Sequence, residues 1–125
     1  MALTLTKDTI VASASNAAAA TTRGTLDVSA DYGGIITMKI TNGGTGPTVQ
    51  CEGRVLISHE ATLPAAGSAG ADWKTVWRFG GGTTNSAVTE QSFEFGPEIR
   101  HVEVEFTGNT GQAVTVEAIA TTFTV

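Results

Sequence analysis

Charge is scarce in this sequence: Asp, Glu, Lys and Arg together make up 15% of its 125 residues, well under the usual quarter. Only 7 residues are basic, against 12 acidic ones, and the formal net charge is -5. A chain so poor in cations has no electrostatic footprint for a phosphate backbone, which argues against nucleic acid as a partner. Long hydrophobic runs are missing too. No stretch approaches the roughly 18 to 20 apolar residues that cross a bilayer, and residues 1–15 lack the basic cluster and continuous apolar core of a sorting signal. The expectation is a product made in the cytoplasm, with no membrane partner. A single cysteine, Cys51, excludes an intramolecular disulfide. No convincing amphipathic helix is visible, which favours a β fold over a parallel α/β one.

What remains is alternation. Thr89, Gln91, Phe93 and Phe95 share one parity; Val102, Val104 and Phe106 share another, opposite Glu103 and Glu105; Val114, Val116, Ala118 and Ala120 repeat the pattern. Turn signals at Gly96-Pro97 and Gly108-Asn109-Thr110-Gly111 separate these segments. A period of two between close turns is the sequence form of antiparallel strands that each turn one face to a core. Further upstream, Leu26 and Val28, then Ile36, Met38 and Ile40, then Val49, Cys51, Val55 and Ile57, and finally Trp73, Thr75, Trp77 and Phe79 form similar stripes. Seven or eight strands joined by glycine-bearing turns predict an all-β protein, a two-sheet antiparallel sandwich of jelly-roll-like or Greek-key topology. Its expected core is Ile36, Met38, Ile40, Val49, Val55, Ile57, Trp77, Phe93, Val104, Phe106, Val114 and Val116. Cys51, in phase with that stripe, is expected as a buried and inert thiol.

The first 24 residues differ. Leu3, Leu5, Ile10 and Val11 precede a run of Ala, Ser, Asn and Thr with nothing large to anchor it. The reading is an extended N-terminal arm over residues 1–24, ahead of a β-sandwich domain over 25–125, with Leu3, Leu5, Ile10 and Val11 as the anchors that dock it onto a partner. An ordinary first strand followed by a long loop accounts for the same residues. Residues 61–71, small and built around Pro64 and Gly67, are expected as the most flexible loop.

Reactive constellations are hard to find. His59, Glu60, His101, Glu103 and Glu105 are the only residues that suggest a metal, and they lie over two strand segments without a ligand-like spacing. His101, Glu103 and Glu105 share one strand face, which is expected to be a solvated outer face. No serine sits in a Gly-x-Ser-x-Gly turn, and the glycine runs lack the lysine and helix of a phosphate loop. The chain is therefore expected to be no enzyme, with no metal and no cofactor. Tyr32, Trp73 and Trp77 are the rings a sugar-binding sandwich would use for stacking, although the shared parity of Trp73, Trp77 and Phe79 also fits a core stripe.

The segments at 35–50 (Asn42-Gly43-Gly44-Thr45-Gly46-Pro47 within them), 71–82 (Ala71-Asp72-Trp73-Lys74-Thr75-Val76-Trp77) and 107–118 (Thr107-Gly108-Asn109-Thr110-Gly111) resemble small β-sandwich structural proteins of tailed bacteriophages, most closely capsid decoration, or cement, proteins. The likeness spans about residues 25–124. It implies a virion protein, homo-oligomeric on the capsid, whose partner is the major capsid protein and whose place is the outer capsid surface. The alternative it leaves open is a glycan-binding or host-attachment module of a phage tail or fibre.

Overall fold

The computed structural model describes residues 2–68 and 73–125. Eight strands follow one another: β1 Thr4–Asn16, β2 Thr22–Asp27, β3 Gly34–Asn42, β4 Glu52–Ser58, β5 Lys74–Gly80, β6 Val88–Phe95, β7 His101–Thr107 and β8 Val114–Thr124. They form two four-stranded antiparallel sheets, in the orders β1-β8-β3-β6 (sheet A) and β2-β7-β4-β5 (sheet B). The first strand pairs with the last, the second with the seventh, the third with the sixth and the fourth with the fifth. A chain folded back on itself in that nested way and rolled into two layers is a jelly roll. The start of the expected fifth strand, at Asp72, and the end of the expected 61–71 loop lie outside the described residues.

The alternating residues build the core as expected. Ile36, Met38, Ile40, Val55, Val104, Phe106, Val114 and Val116 are buried between the sheets, joined by Val28, Cys51, Val102, Ala118 and Ala120. Ile57, Trp77 and Phe93 pack against this cluster at its margin, where the Trp77 ring lies 5.3 Å from that of Phe79 and 5.8 Å from that of Phe93. Gly53 stands opposite Phe79, and the space its missing side chain leaves is filled by that ring. Val49 departs from expectation. It is 52% exposed, because β4 begins only at Glu52 and Val49 makes no more than an isolated bridge with Thr110.

The arm expected over residues 1–24 is instead built into both sheets. Thr4–Asn16 is the edge strand of sheet A, paired with β8 from Thr4↔Thr124 to Asn16↔Val114, and Thr22–Asp27 is an edge strand of sheet B. Two register shifts, between Thr9 and Val11 and between Val11 and Ala14, turn Val11 into the core opposite Ala118. Irregularities of this kind twist an edge away from a straight ladder, and they also break the simple alternation by which a strand is recognised. Ile10 packs on the margin of the core, so two of the four expected anchors hold the strand to its own sandwich.

At the end of β1 a buried polar knot replaces apolar packing. Asn109, in the β7–β8 loop, donates from its side-chain amide to the carbonyls of Asn16, Ala17 and Gln112 at 3.1, 3.4 and 3.0 Å. Its side-chain oxygen accepts from Asn16 Nδ2 at 2.6 Å, and its backbone carbonyl accepts from the Ala19 amide at 2.8 Å. Ala19 has a φ of 63°, a left-handed value that costs a residue with a side chain and must be held by its surroundings. The knot supplies that hold.

Cys51 is fully buried, and burial pushes its thiol up to about 11 from 9.0. A thiol held neutral in the fold ionises first in the unfolded chain. Its contribution to stability is complete below about pH 9 and is lost as the pH rises through about 11. A thiol reagent at about pH 8 is expected to label Cys51 only after denaturant is added. Cys51→Ala should cost roughly 1 to 2 kcal/mol in a urea titration, and Cys51→Ser more. Rapid labelling of the folded protein would show that the β4 side of the core is open.

Candidate functional site

The two outer faces of the sandwich differ in kind. On sheet B, the cross-strand rows place Arg23, Glu105, Arg54 and Arg78 side by side, with Glu52 one row away. Arg23 Nε lies 3.0 Å from Glu105 Oε2 and 3.3 Å from Glu103 Oε1; Arg54 reaches Glu105 Oε1 at 3.2 Å and Glu52 Oε1 at 2.6 Å; Arg78 approaches the same Glu52 oxygen at 3.5 Å. Three arginines and three glutamates thus neutralise one another. They account for three of the 7 basic residues in the chain.

A loop then closes over part of this face. The Gly67 amide donates to both oxygens of Glu103, at 3.1 and 3.3 Å, and Trp73 Nε1 donates to the Ala65 carbonyl at 3.2 Å. The expected solvated stripe His101, Glu103, Glu105 is consequently buried: covering loop and arginine stems remove water from the second face of β7, while Val102, Val104 and Phe106 fill the first. Loss of water raises the Glu103 carboxyl above the usual carboxylate range, against the opposing pull of the Gly67 amide and Arg23. No group of three or more metal-ligating side chains comes together among the described residues, and the candidates His59 and Glu60 stand exposed just beyond β4.

Asp27, His101 and Ser58 form one row across β2, β7 and β4. These are the residue types of a hydrolytic triad, but the geometry of one is missing. Asp27 Oδ1 approaches His101 Nδ1 at 3.3 Å without an aligned hydrogen bond, and Nε2 has no hydrogen-bond partner among the described residues. Ser58 is buried and its hydroxyl accepts from the Glu60 amide at 3.2 Å. A nucleophile needs both the bond to its base and access to substrate. The Ser29 hydroxyl and amide hold the Asp27 carboxyl below its ordinary range.

The three rings expected as a stacking platform are scattered. Trp77 faces the core; Trp73 precedes β5 and is half-buried against the loop; Tyr32 is exposed in the β2–β3 turn, where its amide donates to the Phe123 carbonyl. The expected common phase of Trp73 and Trp77 fails because Val55 pairs with Trp77 and Leu56 with Thr75, a bulge that inserts Val76 into β5.

Sheet A is open on its outer side. Register defines a grid of rows across β1, β8, β3 and β6: Lys7, Thr121, Ile35, Glu94; then Thr9, Ile119, Thr37, Ser92; then Glu117, Lys39 and Glu90 on the last three strands; then Thr115, Thr41 and Val88. Beyond the first row stand Leu5 and Phe123, directly opposite each other. At that end a depression of about 360 Å³ crosses all four strands, lined by Leu5, Gly34, Ile35, Glu94, Phe95, Thr121 and Phe123. Leu5 is 64% and Leu3 60% exposed, so these two of the expected anchors do present apolar surface, Leu5 on the edge strand β1 and Leu3 just before it. The period of two marks the inward stripes but not the outward one. Its signal was available in Leu5, Ile35, Ile119 and Phe123, which are apolar where the pattern calls for polar.

No protein-family model matches the chain, and no curated protein sequence matches it. Among solved structures it is similar to the K3 cleaved adhesin domain of Lys-gingipain from Porphyromonas gingivalis W83, with a TM-score of 0.61 and 10% identity over 88% of this chain and 73% of that one. It is also similar to a chain of the T13 particle of infectious bursal disease virus (TM-score 0.54, 10% identity, 96% of this chain and 31% of that one) and to one from the Gx strain of that virus (0.51, 9%, 97% and 32%). The chain spans about a third of the viral chains it matches. At these identities the likeness is one of fold, a β-sandwich that serves both in an adhesin domain and in a virus particle.

Proposed function

We propose that the protein is a structural virion protein, a capsid decoration protein that binds the outer surface of a major capsid protein lattice and stabilises the head without catalysing a reaction. The observation that carries this reading is the asymmetry of the two faces. The loop at Gly67 covers part of sheet B and the charges there are spent on one another, whereas sheet A offers an open, Thr-rich face with an apolar depression at one end. A broad face without a deep pocket suits another protein surface better than a small ligand. Many weak copies on a repeating lattice hold firmly because their contacts act together.

The test is addition of the purified protein to empty shells assembled from the major capsid protein of the same genome. Saturable co-sedimentation at a fixed number of copies per capsid subunit is expected, together with a raised shell melting temperature. Absence of binding overturns the reading. Retention on a carbohydrate array by a protein that ignores shells would replace it with the glycan-binding alternative.

A further inference from the structure

From the charge pattern of sheet A we infer that its open face is covered by a second copy of this chain, packed face to face about a two-fold axis that runs along the strands. The inference rests on the reading of that face as a protein-contact surface, and does not depend on what the resulting pair attaches to. A two-fold axis in this direction keeps each row at its own level and reverses its order, so that β1 lies over β6 of the partner copy. The row Lys7, Thr121, Ile35, Glu94 then meets itself reversed. Lys7 falls on the second copy's Glu94 and Glu94 on its Lys7, while Ile35 meets Thr121.

The deeper rows match as well. Glu117 falls on Lys39 and Lys39 on Glu117, and Ile119 meets Thr37. Both apolar ends, with Leu5, Ile35 and Phe123, come together at one end of the pair. Turning the axis across the strands destroys all of this: Ile35 would lie on Lys39, Thr121 on Glu117, and Glu94 on Glu90. Like charges and unmatched apolar groups placed opposite one another oppose that arrangement. Packed sheets usually cross at about 30°, which moves the Lys7 and Glu94 positions, roughly 10 Å from the centre of the face, by about 5 Å, within the reach of Lys and Glu side chains.

Sheet B has no comparable option, because its arginines and glutamates already pair with one another and the Gly67 loop lies over Glu103. Edge-to-edge pairing through β1 is opposed by its two irregularities and by Lys7 on the edge strand. The open face measures about 14 Å by about 27 Å between its outer strands and rows, so the pair buries on the order of 1,000 Å², at the weak end of specific interfaces. The dimer is therefore concentration-dependent in solution.

Sedimentation velocity of the full chain, without shells, tests this up to about 0.5 mM, where even a dissociation constant near 1 mM leaves about a third of the chains paired. Wild type is expected to dimerise. K7E and E94K should each weaken the dimer about tenfold or more, since each places like charges at two symmetry-related contacts. An equimolar mixture of K7E and E94K should restore it, because both contacts then join opposite charges, and the double variant K7E/E94K should pair like wild type. Melting curves of each variant confirm that the sandwich is intact. A wild type that stays monomeric throughout overturns the inference, as do single variants that pair normally or a mixture that fails to recover. Shell addition by a monomeric protein would leave the decoration role standing, and a clean dimer that ignores shells would remove that role alone.

Discussion

Deleting residues 2–16 is expected to unfold the protein instead of releasing a tail. These residues carry the whole of β1, which pairs with β8 along its length. Their removal strips β8 of one hydrogen-bonded neighbour, withdraws Val11 from the core and takes Asn16 out of the polar knot. Burial of the valine contributes about 1.5 to 3 kcal/mol, and each ladder hydrogen bond a net of roughly 1 kcal/mol. The sum is comparable with the whole stability of a small domain, about 5 to 15 kcal/mol. Circular dichroism of the truncated chain should show no cooperative melting transition. Deleting only residues 2–3, which precede β1 and expose Leu3, should alter stability by no more than about 0.5 kcal/mol. A chain lacking 2–16 that melts like the full protein would mean that sheet A closes without its edge strand.

That reversal shows which features a sequence displays and which it conceals. The stripes Ile36-Met38-Ile40 and Val114-Val116 were plain because each alternates with polar residues over a regular central strand with one face in the core. Strand β1 hid because most of its side chains are small or polar, face solvent at an edge, and change phase twice within 13 residues. The strand β7 misled in the opposite direction. Its alternation of Val and Phe with His and Glu predicts a dry face and a wet one, yet a distant loop and two neighbouring arginines bury the wet side. Long-range cover of this sort leaves no mark in the segment it covers.

Turn residues carried a second kind of hidden information. In the sequence Asn42 and Asn109 stand out only as members of glycine-bearing turn segments. In the fold both are buried, and each works through its side chain: Asn42 Nδ2 donates to the carbonyls of Gly81, Gly82 and Thr84, as Asn109 does across its own loop. The candidate docking face was obscured for a related reason. Ile35, Ile119 and Phe123 belong to three separate rows and two strands, and only register brings them onto one surface with Leu5.

Asn109→Asp is expected to be the most damaging single conservative substitution in the chain, and the response of its cost to pH identifies the cause. The new carboxylate oxygen would replace an amide that donates to the carbonyls of Asn16, Ala17 and Gln112, setting acceptor against acceptors in a fully buried site with no cation among its partners. A buried charge left without a partner costs about 3 to 5 kcal/mol. Asn109→Ala, which deletes the bonds without adding a charge, should cost less, about 2 to 3 kcal/mol. Burial raises the folded-state pKa of the introduced carboxyl above its unfolded value of about 3.9, so N109D regains stability relative to wild type as the pH falls toward that value and loses it as the pH rises through the raised one. Urea titrations of wild type, N109A and N109D at about pH 4 and about pH 7 should therefore show a gap for N109D that narrows in acid, beside a nearly constant gap for N109A. Equal and pH-independent losses would mean that the loop rearranges to expose position 109, and that the knot does not hold the β1–β2 turn with Ala19 in its left-handed conformation.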